Sequence, residues 1–89
     1  MKVKFLSDIK DCAGVREETL KFSGTVGELL LHLSHKYGNT FRKTVLTGDQ
    51  VSDRIVILVN GRNIAYLNGT DTVLGEEDEV SIFPVLSGG

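Results

Sequence analysis

The chain has 89 residues, 40% of them hydrophobic and 25% charged, the make-up of one soluble globular domain and too short for two. A chain of this size buries only somewhat more than about 60% of the surface its unfolded form exposes, so its apolar positions are committed to one core and a deep internal active site is excluded. The formal net charge of −2 disfavours nucleic acid as a partner. The charge is unevenly spread, because residues 62–89 carry one basic side chain, Arg62, against the acids Asp71, Glu76, Glu77, Asp78 and Glu79.

Lys2 to Ser7 alternates charged and apolar side chains and predicts a first strand, with Val3 and Phe5 on one face and Leu6 on the other. Asp8 to Gly14 interrupts that pattern and reads as a loop, and Glu18 to Phe22 restores the period of two as a second strand. Thr25-Val26-Gly27-Glu28 has the spacing of a capping box and starts a helix whose apolar stripe is Val26, Leu29, Leu30, Leu33 and Tyr37. Gly38 is suited to close that helix in a left-handed conformation.

Asn39 to Arg54 lacks strong periodicity apart from Val45-Leu46 and reads as an irregular connection with room for a short strand or turn. Ile55 to Val59 is apolar throughout and runs into Asn60-Gly61, a strong hairpin signal, with Arg62 to Leu67 as the return strand. Val73-Leu74 forms an apolar plug before the acidic turn Gly75 to Glu79, and Val80 to Pro84 is the last strand. The expected order is ββαβββ, a sheet of about five strands covered on one face by one main helix. A single helix covers one sheet face, so Leu6, Phe83 and part of Ile55 to Val59 are expected to leave an apolar patch for a partner.

Side-chain chemistry is sparse. Cys12 is the sole cysteine, which excludes an internal disulfide and fits a reducing compartment. It has no histidine beside it in sequence and is not assigned as a nucleophile. His32 and His35 lie i, i+3 on the helix but off its apolar stripe, and two ligands do not make a metal site. No signal peptide or membrane-spanning run is read, so the expected location is cytoplasmic, away from membranes. What stands out is the ending, Gly88-Gly89, placed after Pro84, a residue that cannot donate to a sheet ladder. Residues 1–84 form the expected domain and Val85, Leu86, Ser87, Gly88 and Gly89 a projecting tail, able to reach about 17 Å at ~3.4 Å per residue. A Gly-Gly end lacks Cβ atoms and can enter a narrow channel to present its α-carboxylate to a reactive centre elsewhere.

The element order, the Asn60-Gly61 turn and above all the ending from Glu77 through Val80-Ser81-Ile82-Phe83-Pro84 to Gly88-Gly89 resemble the MoaD/ThiS family of ubiquitin-like sulfur carriers, nearest its molybdopterin synthase small subunits. Glu77 stands where many relatives have glycine before Asp78-Glu79, a departure confined to the turn. The resemblance implies an α+β, β-grasp fold with the last strand beside the first. It implies no catalysis by the chain alone and no tightly bound cofactor or metal. An E1-like adenylating enzyme would use ATP and Mg²⁺ to activate the Gly89 carboxylate, and a persulfide donor would convert it to a thiocarboxylate. The tail, Val85, Leu86, Ser87, Gly88 and Gly89, would then enter the molybdopterin synthase large subunit and transfer sulfur to a pterin. Phe83, Pro84 and Leu6, with Glu76, Glu77, Asp78 and Glu79, are the expected docking residues. The alternatives are sulfur donation to cysteine, thiamin or tRNA thiolation, and a protein modifier joined to lysines through Gly89.

Overall fold

A computed structural model describes residues 1–85. In chain order the elements are β1 (Lys2–Phe5), α1 (Asp8–Ala13), β2 (Glu17–Thr19), β3 (Gly24–Thr25), α2 (Val26–Tyr37), α3 (Asn39–Val45), β4 (Leu46–Thr47), β5 (Gln50–Val51), β6 (Ile55–Val59), β7 (Arg62–Asn63), β8 (Val73–Leu74) and β9 (Glu79–Pro84). Single 3₁₀ turns at Ile64–Tyr66 and Gly69–Asp71 lie between β7 and β8.

The main sheet has the order β2-β1-β9-β6-β7. β9 lies at its centre, parallel to β1 in the register Phe5↔Ile82 and antiparallel to β6 in the register Ile57↔Ile82. β3 pairs with β8 and β4 with β5 as two small ribbons. A five-stranded mixed sheet gripping one long helix is the β-grasp arrangement, as expected.

The alternation in the strands decides which face is buried. Val3, Phe5, Ile55, Ile57, Val59, Val80 and Ile82 turn inward and are buried in one cluster with Val26, Leu29, Leu30 and Leu33 of α2. The α2 cap forms as its sequence predicts: the Glu28 amide donates to the Thr25 hydroxyl at 3.2 Å and the Thr25 amide donates to the Glu28 carboxylate at 2.9 Å. Asn60 and Gly61 both take positive φ, 51° and 85°, as a two-residue type I′ turn requires.

Five readings are corrected. Asp8 to Gly14 is not a loop but α1, closed by Gly14 at φ 79°, because Ile9 is buried and Cys12 and Ala13 pack against the core from one helical face. Asn39 to Arg54 holds a helix that its reading lacks, α3, whose Phe41 and Val45 are both fully buried at i, i+4 spacing, and the short strand allowed for there is present as the β4–β5 ribbon. Phe41 stands edge-on to Phe5, with ring centroids 6.0 Å apart. β2 stops at Thr19, although Leu20 and Phe22 still pack on the core. The return strand is cut to Arg62–Asn63, because the Asn63 side chain accepts the Ala65 amide at 2.9 Å and starts a 3₁₀ turn. Gly38 takes φ 94° and ψ −172°, so it leaves α2 in an extended glycine conformation that leads directly into α3.

Candidate functional site

The centre of the sheet leads to the site. At the end of β9 the Val85 amide donates to the Arg54 carbonyl at 2.7 Å, one bond beyond the Ile55↔Pro84 pair. Backbone polar groups alternate sides along a strand, so Val85 closes the ladder on the β6 side, whereas Pro84, which lacks an amide hydrogen, faces β1 and has no donor to extend that ladder. On the β1 side the last contact is the Leu6 amide donating to the Ile82 carbonyl at 3.0 Å. The exit of the chain is thus held by backbone bonds from both neighbouring strands. Val85 is exposed, and the rest of the projecting tail expected from sequence, Leu86, Ser87, Gly88 and Gly89, lies outside the described residues.

Beside this exit is an open cleft of about 550 Å³, with Ile9, Ile55, Pro84 and Val85 as its apolar lining and Lys43, Arg54, Asp8 and Asp53 as its charges. Sequence reasoning missed its α1 and α3 walls. The available signal was Ile9 spaced i, i+3 from Cys12, too short a run to register as a helix. Cys12 lies nearby in the fold as a half-buried packing residue, 3.6 Å from the Thr44 hydroxyl.

The outer sheet face carries the apolar patch expected from the strand patterns. Phe83 pairs with Val56, and Leu58 with Ser81, all half-buried on the face away from α2. Leu6 is 44% exposed at the same end of the sheet as Phe83. Two ion pairs border this patch, Lys4 to Glu79 at 2.9 Å and Lys2 to Glu17 at 3.5 Å. A hydrogen bond to Glu79 and its charge raise the Lys4 ammonium above its ordinary value, and the same bond lowers the Glu79 carboxyl.

The expected docking residues do not form one group. Leu6, Phe83 and Pro84 lie at the exit, whereas Glu76, Glu77 and Asp78 lie before the first residue of β9, at the opposite end of the sheet. The run from Glu79 to Pro84 spans about 17 Å at ~3.3 Å per residue. Asp78 also has a structural duty. Its carboxylate accepts the Gly75 amide at 2.7 Å and the Asn60 side-chain amide at 2.9 Å, and these bonds, the Gly75 one foremost, hold its carboxyl below the ordinary range. The Asn60 side-chain oxygen in turn accepts the Glu79 amide at 2.9 Å. Asn60 therefore clamps the acidic turn to the β6–β7 hairpin.

His32 and His35 are both exposed, with the His32 ring 6.0 Å from that of Phe22. Among the described residues no three His, Cys, Asp or Glu side chains come together as a metal-holding group. No helix among them is long and apolar enough to cross a membrane.

A β-grasp sheet whose central strand ends at an exposed exit, with an apolar outer face beside it, places the chain in the ubiquitin-like fold class. The chain belongs to the ThiS family, whose model matches residues 3–89 and so extends through the terminal Gly88-Gly89. It is 40% identical over 65 residues, 73% of this chain and 74% of the relative, to a protein of Archaeoglobus fulgidus described as a sulfur carrier. Among solved structures it is similar to small archaeal modifier protein 1 of Methanosarcina acetivorans, with a TM-score of 0.83, 34% identity and coverage of 99% of this chain and 94% of that one. It is also similar to a Pyrococcus furiosus protein described as subunit 1 of a molybdopterin converting factor, with a TM-score of 0.70, 28% identity and 93% of each chain covered.

Proposed function

We propose that the chain carries sulfur as a thiocarboxylate on Gly89, and that its principal use is construction of the molybdopterin dithiolene for a molybdenum or tungsten cofactor. The observation that carries this reading is the family match running through Gly88-Gly89, on a chain whose central strand ends four residues earlier at an anchored exit. The pathway assignment is supported by the molybdopterin converting factor among the similar structures.

The chemistry belongs to a bare main-chain carboxylate, a poor electrophile. An E1-like partner supplies ATP and Mg²⁺. A Gly89 carboxylate oxygen attacks the α-phosphorus and pyrophosphate leaves, producing a mixed anhydride. The terminal sulfur of a persulfide then attacks the activated carbonyl carbon and expels AMP, and a thiol cleaves the resulting S–S bond to release the thiocarboxylate. The partner holds the nucleotide and the sulfur donor. This chain contributes steric access through Gly88 and Gly89, an anchored exit at Val85, and the Phe83 face for docking. Val85, Leu86 and Ser87 bridge from that exit to the reacting carbonyl.

The test is incubation of the chain with its E1-like enzyme, ATP, Mg²⁺ and a persulfide source, followed by intact mass spectrometry. Sulfur carriage appears as a mass gain equal to one oxygen exchanged for sulfur. Transfer to a pterin precursor in the presence of a synthase large subunit then establishes the pathway, and transfer only to another acceptor redirects it to cysteine, thiamin or tRNA thiolation. A second reading, a modifier joined to lysines through Gly89, is favoured by the likeness to an archaeal modifier protein over 99% of the chain. Isopeptide conjugates in place of a thiocarboxylate decide for that reading. If neither product forms, both readings fail.

A further inference from the structure

The end of the sheet remote from Val85 exposes apolar side chains that neither the tail chemistry nor the Phe83 face uses. Tyr66 is 87% exposed, Val73 75% and Leu67 36%. They line one open hollow of about 810 Å³ between the β6–β7 turn and β8, which also takes in Arg62 and Asp78. Their exposure follows from local structure. The 3₁₀ turn capped by Asn63 ends the return strand before it can carry Tyr66 into the sheet, and the β3–β8 pairing turns Leu74 into the core, leaving Val73 outside. Single exposed apolar residues are ordinary on a protein surface, but three around one hollow mark a surface suited to binding.

Charge indicates the kind of partner. Glu76 and Glu77 are exposed in the adjoining turn, and neither makes an ion pair among the described residues. Asp78 is held ionised by its bonds to Gly75 and Asn60. Arg62 is the only cation between residues 55 and 89. The Met1 ammonium, which reaches this turn from the other end of the chain, is engaged by the Leu20 and Glu76 backbone carbonyls and leaves the Glu76 and Glu77 carboxylates without an ion-pair partner among the described residues. An anionic membrane or nucleic acid is repelled by such a surface, and a second copy docking the same end would bring the two acidic turns together. We propose that this end of the sheet is a second docking surface, for a partner protein that presents Lys or Arg side chains around an apolar anchor. Because β9 separates it from the exit, a partner can hold the chain here while Gly89 is engaged elsewhere.

The test titrates the full, isotopically labelled chain with a short synthetic peptide of alternating Lys and Leu, beside its Glu-Leu counterpart, and follows the backbone amides by NMR. The expected shifts fall on Tyr66, Leu67, Val73 and Glu76 to Asp78 and spare Val56, Phe83 and Val85. The Lys-Leu peptide binds and the Glu-Leu peptide does not, and salt weakens the binding. The double variant Glu76→Lys, Glu77→Lys binds roughly ten-fold more weakly, and Tyr66→Ser also binds more weakly, while both melt as the parent does and Tyr66→Ser is adenylated normally at Gly89. Shifts centred on Phe83 or Val85, equal binding of the two peptides, undiminished binding by the charge-reversed variant, or self-association through Tyr66 would each overturn the proposal.

Discussion

The phenol of Tyr37, in the last turn of α2, donates its hydrogen to the carboxylate of Glu18 in β2, which also accepts from the Lys36 ammonium. One carboxylate thereby ties the edge strand of the sheet to the end of the helix that covers it, with the Lys36 nitrogen 5.6 Å from the centre of the Tyr37 ring. Burial pushes the Glu18 carboxyl upward, but the bonds from Lys36 and Tyr37 outweigh it and leave the group below its ordinary value. Burial first, and then the bond to Glu18, raise the Tyr37 phenol.

The Tyr37 bond has a stability cost and a pH signature. Tyr37→Phe keeps the ring and removes the donor, and is expected to destabilise the fold by about 1–2 kcal/mol at neutral pH. The Glu18 contribution is complete above its unfolded pKa, near ~4.3, and is lost as pH falls through its lower folded value. The Tyr37 contribution is complete below its unfolded pKa of ~10 and is lost as pH rises through its higher folded value. Urea unfolding of parent, Tyr37→Phe and Glu18→Gln across that range checks both limbs: the parent's advantage over each variant narrows at both extremes. An advantage independent of pH would exclude the carboxylate as its source.

Ser7 joins β1 to α1 with φ 55° and ψ −133°, a conformation that glycine adopts without strain and a residue with a Cβ does not. Ser7→Gly is expected to raise stability by about 0.5–1 kcal/mol, since relief of strain outweighs the added flexibility of the unfolded chain. Matched denaturation curves measure it, and a loss of stability would show that the serine is unstrained.

Asn60 combines a positive φ with two side-chain bonds to the acidic turn. Asn60→Gly keeps the turn conformation and removes only the clamp, for about 1 kcal/mol. Asn60→Ala removes the clamp and also strains the turn, for about 2–3 kcal/mol. Thermal unfolding of the pair separates the two contributions, and equal losses would assign all of the effect to the clamp.

Ile82 and Phe83 are neighbours on opposite faces of β9, one fully buried and the other half-buried on the outer face. Ile82→Ala is expected to cost about 2–4 kcal/mol of stability. Phe83→Ser is expected to cost about 1 kcal/mol or less and to act instead on the proposed function, raising the KM for adenylation by an E1-like enzyme. Steady-state assays with unfolding curves distinguish these effects, and unchanged kinetics for Phe83→Ser would remove that face from the docking surface.

The parts of the fold legible in sequence were those written in long or chemically specific patterns. The stripe from Val26 to Tyr37 repeats over three turns behind a capping box, Asn60-Gly61 has few other uses, and the last strand alternates cleanly. α1 and α3 were missed because each puts only a few residues inward, Ile9 with Cys12 and Ala13, and Phe41 with Val45, too few for a period to emerge against polar neighbours. The shortened β7 depended on one side-chain bond, from the Ala65 amide to Asn63, that competes with the sheet. In the candidate site, Phe83 and Leu6 were legible because alternation assigns them to the outer face. The separation of Glu76 to Asp78 from Phe83 was not, because a strand places residues that are close in sequence at opposite ends of the domain.

The strand at the middle of the sheet is also the last element of the domain to be synthesised. β9 supplies partners to both β1 and β6, so a nascent chain that has not yet emerged beyond residue 79 has two half-sheets and no seam between them. Folding and emergence of the exit strand are therefore one event, and the pairing that joins them is long-range in sequence and slow to form for that reason. A ribosome that stalls before this strand releases a chain with an open core, a substrate for proteases, in place of a folded domain lacking only its last few residues.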